Sequence, residues 1–122
     1  MKRLIGACLL LGAAIVIAPA AAPAANAFDG AWSVVIVTDK GGCDRGYRYD
    51  IQVANGQVRY SGDSSVRLAG SVAADGDVKV SLSVGKSTAN GAGRLSATGG
   101  SGTWRGNGDS GPCSGHWQAE RH

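Results

Sequence analysis

Apolar and polar residues alternate with a period of two along most of the chain beyond residue 30, the pattern of strands that turn one face to a core. Trp32 to Thr38 is rich in β-branched residues and bounded by Asp-Gly and Lys-Gly-Gly, with Trp32, Val34 and Ile36 on one face. Tyr47 to Val53 sets Tyr47, Tyr49, Ile51 and Val53 against Arg48, Asp50 and Gln52. Asn55-Gly56 then predicts a tight hairpin, because both residues tolerate the positive φ of a type I′ turn, and Gln57 to Ser61 is expected to return antiparallel. Val66 to Val72 and Val78 to Val84 make a second hairpin around Ala74-Asp75-Gly76, with their valines and leucines turned inward. The signal weakens after Gly85, where Lys86 to Gly93 is almost all small or polar. A strand is expected over Arg94 to Thr98, a turn at Gly99 to Ser101 and a short strand carrying Trp104. A loop from Gly106 to Pro112 and a last strand from Cys113 to about Arg121 complete the chain. No helical apolar period appears after residue 30. The prediction is an all-β fold, a small antiparallel up-and-down meander of roughly seven or eight strands, barrel or barrel-like.

The first stretch has a different pattern. Met1 to Ala27 begins with Lys2 and Arg3, runs apolar from Leu4 to Ala18 and ends in Ala25-Asn26-Ala27. This is the layout of a secretory signal peptide cleaved after Ala27; the apolar run is short of the roughly 20 residues that span a bilayer, and Pro19 and Pro23 come after it. Cys8 precedes most of the apolar run, whereas a lipid-attachment cysteine comes after it. Residues 28–122 are then expected to form a single β domain with no membrane span, in the periplasm or secreted.

Removing the leader changes the charge. Ten lysines and arginines against nine acids leave +1 over residues 28–122, compared with +3 for the whole chain. The basic residues are dispersed one at a time, which gives no basis for a nucleic-acid or anionic-membrane partner. Cys43 and Cys113 are the two cysteines that remain, and in an exported chain they are expected to form one disulfide. Closing a loop of that span restricts the unfolded chain by about 4 kcal/mol on the chain-entropy argument.

The candidate chemistry is sparse. Gly108-Asp109-Ser110-Gly111-Pro112 resembles the segment around the nucleophile of chymotrypsin-like serine proteases, but His116 and His122 both come after the serine and the domain is too short for two barrels, so the segment reads as a connection. Gly106 to Gly111 also fits a dinucleotide fingerprint, yet Pro112 and Cys113 lead into a strand and not into the helix whose amides hold pyrophosphate. Asp75-Gly76-Asp77 lacks the further oxygen ligands of a calcium loop, and the two histidines have no partners for zinc. No catalytic residue, metal or cofactor is therefore assigned.

The aromatic residues carry more. Gly30-Ala31-Trp32, Gly102-Thr103-Trp104 and Gly115-His116-Trp117 each place a glycine and an indole on one strand face, where the glycine leaves room for a ring from a neighbouring strand. This spacing supports two readings. The three tryptophans could cluster as a plug at one end of a barrel, or Trp32, Tyr47, Tyr49, Trp104 and Trp117 could line a pocket for an apolar or sugar-like ligand.

A Gly-x-Trp at the start of the first strand of a meander resembles the calycin barrels, which include lipocalins and avidin-like proteins. It also resembles the small periplasmic inhibitors of bacterial metalloproteases, which are exported and carry one disulfide. Phe28-Asp29-Gly30-x-Trp32 near the mature start, with Cys113-Ser114-Gly115-x-Trp117 and Ala119-Glu120-Arg121 at the end, is similar to a group of small exported bacterial proteins of unknown function. The expectation is an exported, non-enzymatic β-barrel-like domain that binds a small ligand or a protein partner in the cell envelope. Two further readings stay open: a protease inhibitor acting through Phe28-Asp29-Gly30 or a loop, and a structural envelope component.

Overall fold

The computed structural model describes residues 12–14 and 27–122. The leader expected over Met1 to Ala27 lies outside the described residues apart from residues 12–14 and Ala27, and Cys8 lies outside them too. Eight strands run in order: β1 (Gly30–Lys40), β2 (Gly46–Ala54), β3 (Gln57–Arg59), β4 (Val66–Val72), β5 (Asp77–Val84), β6 (Ser87–Leu95), β7 (Gly99–Gly108) and β8 (Gly111–Arg121). Each strand pairs antiparallel with the next, and β1 pairs with β8, so the meander closes into a barrel in which every strand has a neighbour on each side. The expected all-β meander and its disulfide between Cys43 and Cys113 are both present.

Alternation decides what lies inside. Val53, Val58, Val72, Val78, Leu95 and Ala119 are buried within the barrel, while Arg48, Gln52, Lys79 and Gln118 between them are exposed. The turn at Asn55-Gly56 has positive φ at both residues, 52° and 74°, as the hairpin requires. The strands run between two ends. The starts of β1, β5 and β7 share one end with the turns at Asn55-Gly56 and Ala74 to Gly76, here called the Trp32 end. The β1–β2 loop, the β5–β6 turn and the β7–β8 turn form the Cys43 end.

The structure corrects the weakest part of the sequence reading. Ser87 to Leu95 is a full strand, and Arg94 to Thr98 is its end followed by a turn closed by Ser96 N–H donating to Gly99 O at 2.7 Å. Gly99 to Ser101 is not a turn but the beginning of β7, and the loop expected from Gly106 to Pro112 shrinks to the turn at Asp109-Ser110. Glycine was the misleading signal: Gly91 and Gly93 of β6 and Gly100, Gly102, Gly106 and Gly108 of β7 occupy alternate strand positions. They face inward because larger groups fill the space above them. A methyl group at Gly102 would stand 2.6 Å from the Trp117 ring, and one at Gly93 2.5 Å from it.

The return strand after Asn55-Gly56 is also shorter than expected, Gln57–Arg59 in place of Gln57 to Ser61. Only Gln57 and Val58 are in register with β4, opposite Ser71 and Gly70. The half of β2 nearer the Cys43 end, Gly46 to Ile51, therefore pairs with β1 alone, and Val66 to Ala69 of β4 pair with β5 alone. Tyr60, just past the end of β3, sets its ring edge-on to Tyr49 of this half of β2 at 5.6 Å.

Candidate functional site

The barrel interior begins on a closed floor at the Trp32 end. Trp32 has no solvent exposure, and its indole N–H donates to Phe28 O at 2.8 Å. The Arg121 guanidinium lies 5.1 Å from the centre of the Trp32 ring, close enough for a cation–π contact. It also donates to the carbonyls of Ala27, Asp29 and Ala97. The Asp29 carboxylate accepts from Asn55 N–H at 2.9 Å and Gly56 N–H at 3.3 Å. The segment before β1, the β2–β3 turn, the β6–β7 turn and the end of β8 are thus tied together beneath a buried Phe28. One arginine and one aspartate thus make five hydrogen bonds to backbone groups of the segments around them.

Above this floor lies a cavity of about 90 Å³ whose exposed lining atoms are all apolar, from Val34, Ile36, Ile51, Leu68, Val80 and their neighbours. Trp117 forms part of its wall. The ring is 6 % exposed, covers the β6 and β7 glycines and donates its N–H to Ala92 O at 3.3 Å. A second, wider chamber of about 430 Å³ continues towards the Cys43 end and shares Ile36, Tyr49, Leu82 and Ala89 with the first. Tyr47, Tyr49 and Trp104 line this chamber together with Asp44 and Asp109. Tyr47 and Tyr49 stack at 6.2 Å with their planes 21° apart, and the outermost, Tyr47, is 37 % exposed. Trp104 is fixed by its N–H donating to Val37 O at 3.0 Å.

The rim is held by covalent and steric means. Cys43 in the β1–β2 loop is bonded to Cys113 of β8, their Cα atoms 6.1 Å apart, and Cys43 N–H points to the Cys113 sulfur at 3.1 Å. The loop runs tight against the β8 backbone at Gly41, where φ is +97° and a methyl group would collide with Pro112 O. Thr38 Oγ donates to Asp44 O at 2.6 Å and fixes the loop from below. Burial raises the Tyr47 pKa, and the neighbouring Asp44 carboxylate raises it further. Tyr49 is raised by burial first and then by the phenols of Tyr47 and Tyr60.

The five aromatic residues singled out in sequence all border the interior; Trp32 and Trp117 belong to one buried core cluster with Trp104 packed against it, but the three indoles are not stacked on one another at one end. Trp32 stands opposite Arg121, Trp117 opposite Ile36, and Trp104 opposite Gly115, whose partner on β1 is Thr38. They occupy three different levels, those of Trp32, Ile36 and Thr38 on β1. The register explains why: Gly102 faces Trp117 and Trp104 faces Gly115 across the β7–β8 pair, so each indole lies over the other motif's glycine. Among the described residues the ring–ring contacts join tyrosines. The plug at the Trp32 end is made by Phe28, Trp32 and Arg121. Asp44 and Asp109 carried no signal in the sequence, since only barrel closure brings the β1–β2 and β7–β8 connections to one opening.

No other constellation assembles among the described residues. Ser110 is exposed in its turn, His116 pairs with Asp39 at 2.8 Å on the outer surface, and His122 faces Asp50 at 3.8 Å. Ser33, flanked in register by Asp50 and Glu120, has a buried hydroxyl with no hydrogen-bond partner among the described residues. Asp50 and Glu120 are exposed on the outward strand face. Among the described residues no group of three or more His, Cys, Asp or Glu side chains is placed to hold a metal ion, and no helix is long and apolar enough to cross a membrane. Comparison of the chain with protein-family models, with curated proteins and with solved structures finds no match.

Proposed function

We propose that this protein is an exported binding barrel that takes a small, predominantly apolar ligand through its Cys43 end, with Tyr47, Tyr49 and Trp104 around the entrance and the apolar cavity below receiving the innermost part. One observation carries the reading: the wide chamber and the deeper, wholly apolar cavity meet at Ile36, Tyr49, Leu82 and Ala89, while the opposite end is sealed. Concave, mostly apolar sites with a few polar groups at the mouth are what small ligands occupy. An apolar cavity of this order of size stays dry and accepts a small apolar guest. The disulfide suits an oxidising compartment outside the cytoplasm, which supports a periplasmic or secreted location. An inhibitor acting through Phe28-Asp29-Gly30 has less support, because Phe28 is buried and the Asp29 carboxylate holds the β2–β3 turn.

The test is titration of the disulfide-intact domain with the neutral probe N-phenyl-1-naphthylamine. Saturable, one-to-one enhancement of probe emission is expected, and Leu82→Trp, which fills the junction of the two cavities, should abolish it while the variant keeps its β-sheet circular dichroism. Emission that rises without saturation, or that Leu82→Trp leaves unchanged, overturns the reading.

A further inference from the structure

The chamber at the Cys43 end has an electrical sign. Two carboxylates, Asp44 and Asp109, stand among its lining residues, and no lysine or arginine does. Arg45 and Lys86 adjoin lining residues in sequence but line nothing in the chamber. Neither Asp44 nor Asp109 has a salt-bridge partner among the described residues, whereas Asp75 and Asp77 on the outer surface pair with Arg94. The two carboxylates come from different connections, the β1–β2 loop and the β7–β8 turn, that the Cys43–Cys113 bond fastens beside each other. Between them and the apolar cavity stand Tyr47, Tyr49 and Trp104, whose ring faces attract cations.

From this arrangement, and resting on the binding reading above, we infer that the occupant is a small amphiphilic organic cation: an ammonium group held at the mouth between Asp44, Asp109 and the aromatic rings, with an apolar tail in the cavity below. The order of the lining requires that polarity. An anionic head would meet two like charges with no compensating cation, and an uncharged head would leave the carboxylates unused. A head without a tail would leave the apolar cavity unfilled. Coulomb attraction at the mouth and cation–π contact add to tail burial, and both are largest for a poorly hydrated alkylammonium.

The experiment compares three probes that share one tail, octyltrimethylammonium, octanol and octanoate, each below its micelle-forming concentration. Each is measured by displacement of N-phenyl-1-naphthylamine from the wild type and from the Asp44→Asn/Asp109→Asn double variant. The expected order is cation, alcohol, carboxylate, with the cation at least about tenfold tighter than the carboxylate and the gap narrowing as salt is raised. The double variant should lose the preference for the cation while binding octanol as before, which also shows that it has folded. Equal binding of all three heads, or a preference for octanoate, overturns the inference and leaves the binding reading intact. Failure of every probe to displace, or of the naphthylamine to bind, overturns both. A cation preference that survives in the double variant overturns the assignment to Asp44 and Asp109.

Discussion

The two ends of this barrel solve the same problem by different means. At the Trp32 end the strands converge on a fully buried indole, and Arg121 and Asp29 hydrogen-bond the backbone of the connections around it. At the Cys43 end the inward residues stay partly exposed, the seam between β2 and β4 has no continuous ladder, and a disulfide fastens the loop. Packing closes the first end, and a covalent bond fastens the second. A rim with little buried core gains little stability from packing, and a cross-link stabilises it without burying surface.

The largest expected effect breaks the first end. Trp32→Ala should cost about 4 kcal/mol, since it removes a fully buried ring and leaves Arg121 over a hole. For a domain of this size that is a large share of the total stability. Trp104→Ala removes a half-buried ring and one hydrogen bond, and should cost about 2 kcal/mol. Urea denaturation of the two variants checks the pair. Equal losses would mean that the ends do not differ in packing.

What could be read in the sequence followed side-chain size and not the end of the barrel, and the reasons are physical. Gly30-Ala31-Trp32 and the alternation of Tyr47 to Val53 mark inward faces directly, because burial selects large apolar residues at every second position. The β6–β7 hairpin obeys the same period with glycine in place of valine, and glycine reads as a turn unless one knows that Trp117 fills the space above it. Residue identity shows that a position is small, not what makes it small. The disulfide could be anticipated from compartment and count. That Asp44 and Asp109 line one chamber could not, since they lie on connections far apart in sequence that meet only when β8 pairs with β1.

The second prediction sharpens the comparison at the other end. Replacing both cysteines with serine should destabilise the domain by about 3 to 4 kcal/mol if the bond acts mainly on the unfolded chain. Hydrogen exchange should locate its local effect in Gly41 to Arg45 and Asp109 to Gly111, leaving Leu95 and Val53 protected as before up to the global limit. If exchange accelerates equally at both ends beyond the global change, the bond is not the particular fastening of the rim.

The smallest expected effect is a pH dependence confined to the open end. The described tyrosines are Tyr47, Tyr49 and Tyr60, and Tyr47 and Tyr49 have pKa values raised above the ordinary value. A raised folded-state pKa means that the fold favours the neutral phenol. Its contribution is fully present below the unfolded value of about 10 and is lost as pH rises through the raised folded values. The melting temperature should therefore show no tyrosine-linked change between neutral pH and about pH 10 and decline above it, while phenolate absorbance appears later than in the denatured chain. Tyr47→Phe with Tyr49→Phe should flatten that decline. Asp44→Asn should return Tyr47 only part of the way, because burial is the larger cause of its shift and the carboxylate the second. A titration that matches the denatured chain, with no alkaline fall in melting temperature, would show that water reaches the ring stack freely and that the chamber is shallower than its lining implies.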